Sequence, residues 1–190
     1  MNTVNRTSRA LGVAFLFQFV TSLFIGTVLS QALIVPGDVS SSMTKIANHP
    51  SLMRASILVD MLTALGIIFL GTLLFVTLRK QSVPVALVAL GFYVLEAALL
   101  AVSKMEAFSL LRISQEYVAA GQPAYLQTMG SVALESMDFA GVTLHMLAFC
   151  LGAIPFYYLL DRSRAIPRIL SLWGLISVIP LLVGTLLTVF

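Results

Sequence analysis

Five long apolar stretches constrain this chain more than any single motif does. A helix needs about 20 mostly apolar residues to cross the hydrocarbon core of a bilayer. Charged residues make up only 10% of the 190, against about 25% in a soluble domain, so a soluble fold could not bury this much apolar surface. We therefore predict an all-α integral membrane bundle, a single domain over residues 1–190 with about five transmembrane helices. The predicted spans are Ala10–Ile34, Met53–Leu78, Val83–Leu111, Asp138–Leu160 and Ile169–Phe190.

The segments between these spans contain helix-breaking residues. The sequences "IVPGDVSSS", "RKQSVP", "AAGQPAY" and "DRSRAIPR" follow the first four apolar stretches and are rich in proline, glycine and serine. The segment Ala124–Met137 is too polar to cross a bilayer. We interpret it as an interfacial helix that runs into the fourth span.

The basic residues predict the orientation in the membrane. With the N-terminus in the cytoplasm, the inner side holds Arg6, Arg9, Arg79, Lys80, Arg162, Arg164 and Arg168, and the outer side holds Lys45, Arg54, Lys104 and Arg112. This excess of inner lysine and arginine favours an N-in, C-out topology. We expect Lys104 to extend toward the outer interface. Because the basic residues lie in short loops and do not form one patch, we predict no nucleic-acid partner.

Two acidic residues fall inside the predicted second and third spans. Asp60 lies in the run "LVDMLTAL", and Glu96 is the deepest charge in the chain. A charge at the centre of a membrane helix costs roughly 2.5–3.5 kcal/mol on insertion scales, so such side chains face the bundle interior and have a partner. At 3.6 residues per turn, Asp60 shares a face with Thr63, and Glu96 shares one with Tyr93, which could donate a hydrogen bond to it.

The predicted fourth span adds an acid and a histidine. Ser131, Glu135, Asp138 and His145 fall within a sector of roughly 80° if this segment is a regular α-helix. An alternative interpretation is that Glu135 and Asp138 lie at a solvated helix N-terminus, where the helix dipole favours acidic side chains. A packed, hydrogen-bonded histidine also explains His145.

Carboxyl groups grouped in a low dielectric either hold protons or require a cation. One hypothesis is proton relay or proton-coupled transport in which Glu96 titrates. A second is a carboxylate–histidine site for a divalent metal, with Asp60, Glu96, Asp138 and His145 as candidate ligands. No cofactor motif is evident, and the sequence has no HExxH, GxSxG or P-loop. A simpler interpretation is that Asp60 and Glu96 are protonated and hydrogen-bond neighbouring helices.

Several phrases resemble a bacterial membrane family catalogued as domain of unknown function 4386. They are "RTSRALGVAFL", "LVDMLTALGI", "GFYVLEAALL", "ISQEYVAAGQP", "MDFAG" and "FYYLLDRSRAIPRILSLWGLI", in order over nearly the whole chain. The resemblance implies a multi-span bundle in the bacterial inner (cytoplasmic) membrane. It implies no activity.

The resemblance also bears on the acids. Asp60, Glu96 and Asp138 match acidic positions of the family's second, third and fourth spans. The family often has arginine where this chain has Tyr93 and Met137. The missing arginines favour protonated acids or an external cation over an internal salt bridge.

These observations predict a polar pocket between the second, third and fourth spans, open toward the outer face. The leading hypothesis is transport or sensing of a small ligand or cation there, with Asp60, Tyr93, Glu96, Asp138 and His145 as binding or proton-binding residues. A membrane-embedded metal enzyme and a non-catalytic assembly protein are the alternatives. Besides the lipid bilayer, we expect a homo-oligomer, with Ala97/Ala101 and Ala148/Gly152 as contact faces.

Overall fold

The computed structural model describes residues 3–24 and 30–189, with side-chain surroundings given for residues 9–22 and 32–189. Within these ranges every regular element is helical, which confirms the predicted all-α class. A π-helical turn, Phe139–Leu144, joins the sixth and seventh α-helices. The α-helices are α1 (Thr3–Phe24), α2 (Ser30–Leu33), α3 (Val39–Asn48), α4 (Pro50–Leu78), α5 (Val83–Ala119), α6 (Ala124–Asp138), α7 (His145–Ser163) and α8 (Arg168–Leu187).

Among the described residues, four helices are long and apolar enough to cross a membrane: α4, α5, the continuous segment Ala124–Ser163, and α8. Helix α1 contributes a shorter apolar stretch, Arg9–Ser22. The prediction of about five membrane helices is therefore confirmed. Of the predicted first span, residues 25–29 lie outside the described residues.

Helix α5 is the centre of the bundle. It packs against α3, α4, α6, α7 and the π-helical turn, whereas α1 packs mainly on α4 and α8 mainly on α7. The largest buried cluster includes Ile67, Leu74, Tyr93, Phe156 and Leu159, contributed by α4, α5 and α7. The side chains that meet in the membrane-spanning part of the protein therefore come mainly from these three helices.

Helix α5 is longer than the predicted third span, which ended at Leu111. Its 37 residues extend about 55 Å at 1.5 Å per residue, well beyond a hydrocarbon core of about 30 Å. Helices α3 and α6 pack against its C-terminal part around a second buried cluster that includes Met43, Ile46 and Leu126. The predicted interfacial helix is thus continuous with the fourth span, but it belongs to a small helical layer at one end of the bundle.

A side-chain cap begins α3 in this layer. The Asp38 carboxylate accepts a hydrogen bond from the Ser41 backbone N–H at 2.9 Å and one from the Ser41 hydroxyl at 2.7 Å. These bonds stabilise the ionised form and lower the pKa of Asp38 below its ordinary value. The Ser40 and Tyr117 hydroxyls lie 2.9 Å apart and join α3 to α5.

The small residues predicted as oligomer contacts lie mostly inside the bundle. Ala97 and Ala148 are each 2% exposed. Gly152 packs so closely on α5 that a Cβ there would stand 2.7 Å from the Tyr93 ring. The assignment of Ala97, Ala148 and Gly152 to oligomer contact faces was wrong, because these small residues allow α5 and α7 to approach each other within one chain. A homo-oligomer stays a prediction.

Candidate functional site

The α4–α5 hairpin places Asp60 beside Lys104. Each residue lies 22 positions from Ser82, which precedes α5 at the turn. Lys104 Nζ is 2.5 Å from Asp60 Oδ2, and the two side chains are 13% and 11% exposed. The expectation that Lys104 extends toward the interface was wrong, because a carboxylate at the same depth on α4 provides a closer partner.

This pair changes the predicted role of Asp60. The family resemblance pointed to acids without an internal cation, yet Lys104 supplies one to Asp60. A buried ion pair adds little net stability, but removing one partner leaves a charge that neither water nor protein compensates. Asp60 is therefore held in place by Lys104, and a ligand cation must compete with this ammonium group for its carboxylate.

Glu96 and Tyr93 lie one turn apart on α5 and are both buried, at 4% and 5% exposure. The Tyr93 ring packs edge-to-face on Phe156, with centroids 5.0 Å apart and planes at 83°. The described structure forms no hydrogen bond between Tyr93 and Glu96, and Glu96 Oε2 has no partner among the described residues. Tyr93 therefore packs against the rings of α7, and Glu96 keeps an unsatisfied carboxyl oxygen.

A π-helical turn separates Asp138, the last residue of α6, from His145, the first residue of α7. The His145 backbone N–H donates to the carbonyl of Ala140, five residues earlier, as in a π-helix. The wider turn changes the angular spacing that a regular α-helix would give. Asp138 and His145 still line one cavity, whereas Glu135 is exposed and does not line it.

Glycine allows this turn to lie directly against α5. A Cβ at Gly141 would stand 2.6 Å from Oγ and 2.8 Å from Cβ of Ser103. Ser103 is fully buried, and its hydroxyl donates to the backbone carbonyl of Leu100 at 2.8 Å. The contact between Gly141 and Ser103 therefore fixes the distance between α5 and the wall that contains Asp138 and His145.

The first cavity, which we call the acidic cavity, has a volume of about 290 Å³. It lies between α4, α5 and the π-helical turn. Two carboxylates face it against one ammonium group, which leaves one unit of negative charge when His145 is neutral. Its polar lining comprises Ser22, Ser56, Asp60, Thr63, Lys104, Asp138 and His145.

The second cavity, which we call the lateral cavity, has a volume of about 530 Å³ and is mainly apolar. Glu96 lines it from α5, Gln18 from α1 and His145 from α7. Its apolar lining includes Phe15, Phe19, Ile67, Leu70, Met146, Phe149 and Leu181.

The five candidate residues are therefore divided between two cavities. Asp60 and Asp138 line the acidic cavity, and Tyr93 and Glu96 line the lateral cavity. His145 lines both, as do Met146 and Ser22. The sequence predicts a single pocket, and it reveals neither the division into two cavities nor the position of Lys104 in the lining. The available signal for Lys104 was its distance from the hairpin turn, equal to that of Asp60.

No group of three or more His, Cys, Asp and Glu side chains in the described part of the chain is arranged to hold a metal ion. Asp60, Asp138 and His145 line the acidic cavity, but Glu96 lines the lateral cavity, and Asp60 is already paired with Lys104. The geometry of the described residues therefore gives the metal-enzyme hypothesis no support.

Comparison with known proteins identifies a family. The model of a protein family described as a domain of unknown function, DUF4386, matches residues 10–190. The search of curated proteins and the search of solved structures found no match.

Proposed function

The chain belongs to the family of domain of unknown function 4386, and we propose that it binds a small cation in the acidic cavity as the recognition step of transport or sensing. We further propose that it resides in the bacterial cytoplasmic membrane with its N-terminus inside. The acidic cavity then opens toward the outer face.

The charge balance of the acidic cavity is the observation that supports this proposal. Asp60 and Asp138 carry two negative charges and Lys104 one positive charge, all within a cavity of about 290 Å³. A single unit of excess negative charge in a partly desolvated site attracts one small cation more strongly than the same charge would in water. A monovalent organic ammonium ion matches both the charge and the volume.

Each residue has a distinct role in this proposal. Asp138 is exposed and has no ion-pair partner in the described residues, so it meets the cation first. The cation then competes with Lys104 for Asp60. His145 lines both cavities and relays a proton between the acidic cavity and Glu96.

The test is the melting temperature of the detergent-purified chain in a panel of cations. The panel contains methylammonium, putrescine, spermidine, Mg²⁺, Mn²⁺ and Zn²⁺. A ligand that binds only the folded state adds about 2.7 kcal/mol to the free energy of unfolding when its concentration is about 100 times its Kd. We expect one of the ammonium ions in this panel to raise the melting temperature, and we expect the rise to saturate with its concentration.

Two variants test whether the rise in melting temperature comes from binding in the acidic cavity. Asp138→Asn removes the exposed charge of the acidic cavity without breaking an ion pair, and it should abolish the rise. Glu96→Gln leaves the lining of the acidic cavity unchanged and serves as the matched control for binding: it should keep the rise in melting temperature, because Glu96 takes part only in the proton relay and not in binding the cation. A melting temperature that no cation changes, or an equal rise in Asp138→Asn, contradicts the proposal.

A further inference from the structure

Residues that line the lateral cavity carry most of the buried polar atoms that the described structure leaves unsatisfied. Four buried side-chain atoms of the described residues have no hydrogen-bond partner, and three of them belong to residues that line this cavity. These atoms are Gln18 Oε1, Glu96 Oε2 and His145 Nδ1. Buried polar groups in native proteins nearly always have a partner, so their concentration here points to a ligand group that completes the site.

Glu96 is the strongest of these three indications. The residue lines the lateral cavity and is only 4% exposed. An unpaired carboxyl group in an apolar environment holds its proton, whereas a bound ammonium group lets it ionise and accept hydrogen bonds. Gln18 approaches from α1, with Oε1 lying against Gly66 of α4. Its terminal amide torsion has broad energy wells, so the oxygen can turn toward a donor in the cavity.

The rest of the cavity suits a hydrocarbon chain. Phe15, Phe19 and Leu181 are 36%, 64% and 38% exposed and form the rim. Because α1 packs mainly on α4 and α8 mainly on α7, this rim lies between α1 and α8 and opens sideways. In a membrane the opening faces lipid, and the volume of about 530 Å³ is typical of small-molecule sites, which range from about 300 to 1,000 Å³.

We propose that the lateral cavity binds a single-chain amphiphile with a primary ammonium head, which enters from the bilayer between α1 and α8. The ammonium group has three N–H donors, matching the oxygens of Glu96 and Gln18 and Nδ1 of His145, which accepts when the ring carries its proton on Nε2. Its charge balances Glu96, and its alkyl chain lies along the aromatic rim. This site shares His145, Met146 and Ser22 with the acidic cavity, but its charged group is Glu96, and it does not depend on the cation proposed there.

The test is native mass spectrometry of the full chain in detergent with added dodecylamine. Dodecyltrimethylammonium has the same charge without N–H donors, and dodecanol has a donor without the charge. We expect one dodecylamine per chain, bound at least about tenfold more tightly than either analogue, because hydrogen bonds to charged groups are the strong ones. Equal binding of dodecylamine and either analogue overturns the proposal.

Variants of the two cavities separate this proposal from the previous one. Glu96→Gln removes the charge, and Leu181→Trp narrows the opening at an exposed rim position where the core is not disturbed. Each should weaken dodecylamine binding by about tenfold or more, whereas Asp138→Asn should leave it unchanged. If Glu96→Gln does not fold, Leu181→Trp still tests the proposal. Undiminished binding in the folded variants, or a loss confined to Asp138→Asn, overturns the proposal.

Discussion

At the residue scale, the Asp60–Lys104 pair couples the fold to the site. The two side chains are only 11% and 13% exposed, so neither charge is fully hydrated if the other is removed. The same pair provides the carboxylate that a ligand cation would have to reach. Stability and binding therefore depend on one contact, and a change at either residue has to be interpreted with the other in mind.

We predict that neutralising either partner alone destabilises the protein more than neutralising both. Asp60→Asn or Lys104→Met should each lower the free energy of unfolding by about 3 kcal/mol, because each leaves a buried charge without a counter-ion. The double variant should recover most of this loss. Unfolding by denaturant titration in mixed micelles measures all three proteins. Additive losses in the double variant would show that the two charges are not coupled.

At the element scale, Gly141 allows the π-helical turn to pack directly against α5. Gly141 lies against Ser103, and the same turn leads from Asp138 to His145. Residues in π-helical turns often lie at functional sites. Here the turn sets the distance between the acidic residues of α4–α5 and those of α6–α7.

Gly141→Ala should therefore destabilise the bundle by about 1–3 kcal/mol, the usual cost of overpacking a close contact. It should also weaken cation binding in the acidic cavity, because the wall with Asp138 has to move away from α5. Gly91→Ala is the matched control, since a Cβ there meets nothing within 4 Å and alanine favours the helix by about 0.5–1 kcal/mol. Melting temperatures and cation titrations compare the two. Equal behaviour of the two variants would contradict the packing argument.

The sequence predicts which segments are helices better than it predicts their local geometry and which cavity their side chains line. Hydropathy identifies the membrane helices because a spanning helix needs a long apolar run, and 3.6-residue periodicity places Tyr93 and Glu96 on one buried face. It does not predict the π-helical turn, which adds no distinctive composition to Phe139–Leu144. Nor does it reveal that two cavities share His145, since that depends on how α1 and α8 pack around the central helices.

At the scale of the whole molecule, a membrane bundle carries a helical layer at one end. Helices α3 and α6 pack on the extension of α5, and the excess of basic residues lies at the opposite end of the bundle. The positive-inside rule therefore predicts that this layer lies outside the cytoplasm. The acidic cavity lies where the layer meets the bundle.

Labelling with a membrane-impermeant maleimide in intact cells tests this topology. In a Cys150→Ser background, Lys45→Cys should react without permeabilisation, because Lys45 is exposed on α3. Arg164→Cys, in the exposed turn between α7 and α8, should react only after permeabilisation. The reverse pattern would show that the helical layer is cytoplasmic and that the acidic cavity opens inward.

The most direct test of cation binding within the membrane is charge displacement in proteoliposomes on a solid-supported membrane. A rapid concentration jump of the ammonium ion selected in the stability panel should produce a transient current, because a cation that enters the acidic cavity crosses part of the membrane dielectric. We expect a saturable current in the wild type and in Glu96→Gln, and none in Asp138→Asn. No current in the wild type, or an undiminished current in Asp138→Asn, would contradict it.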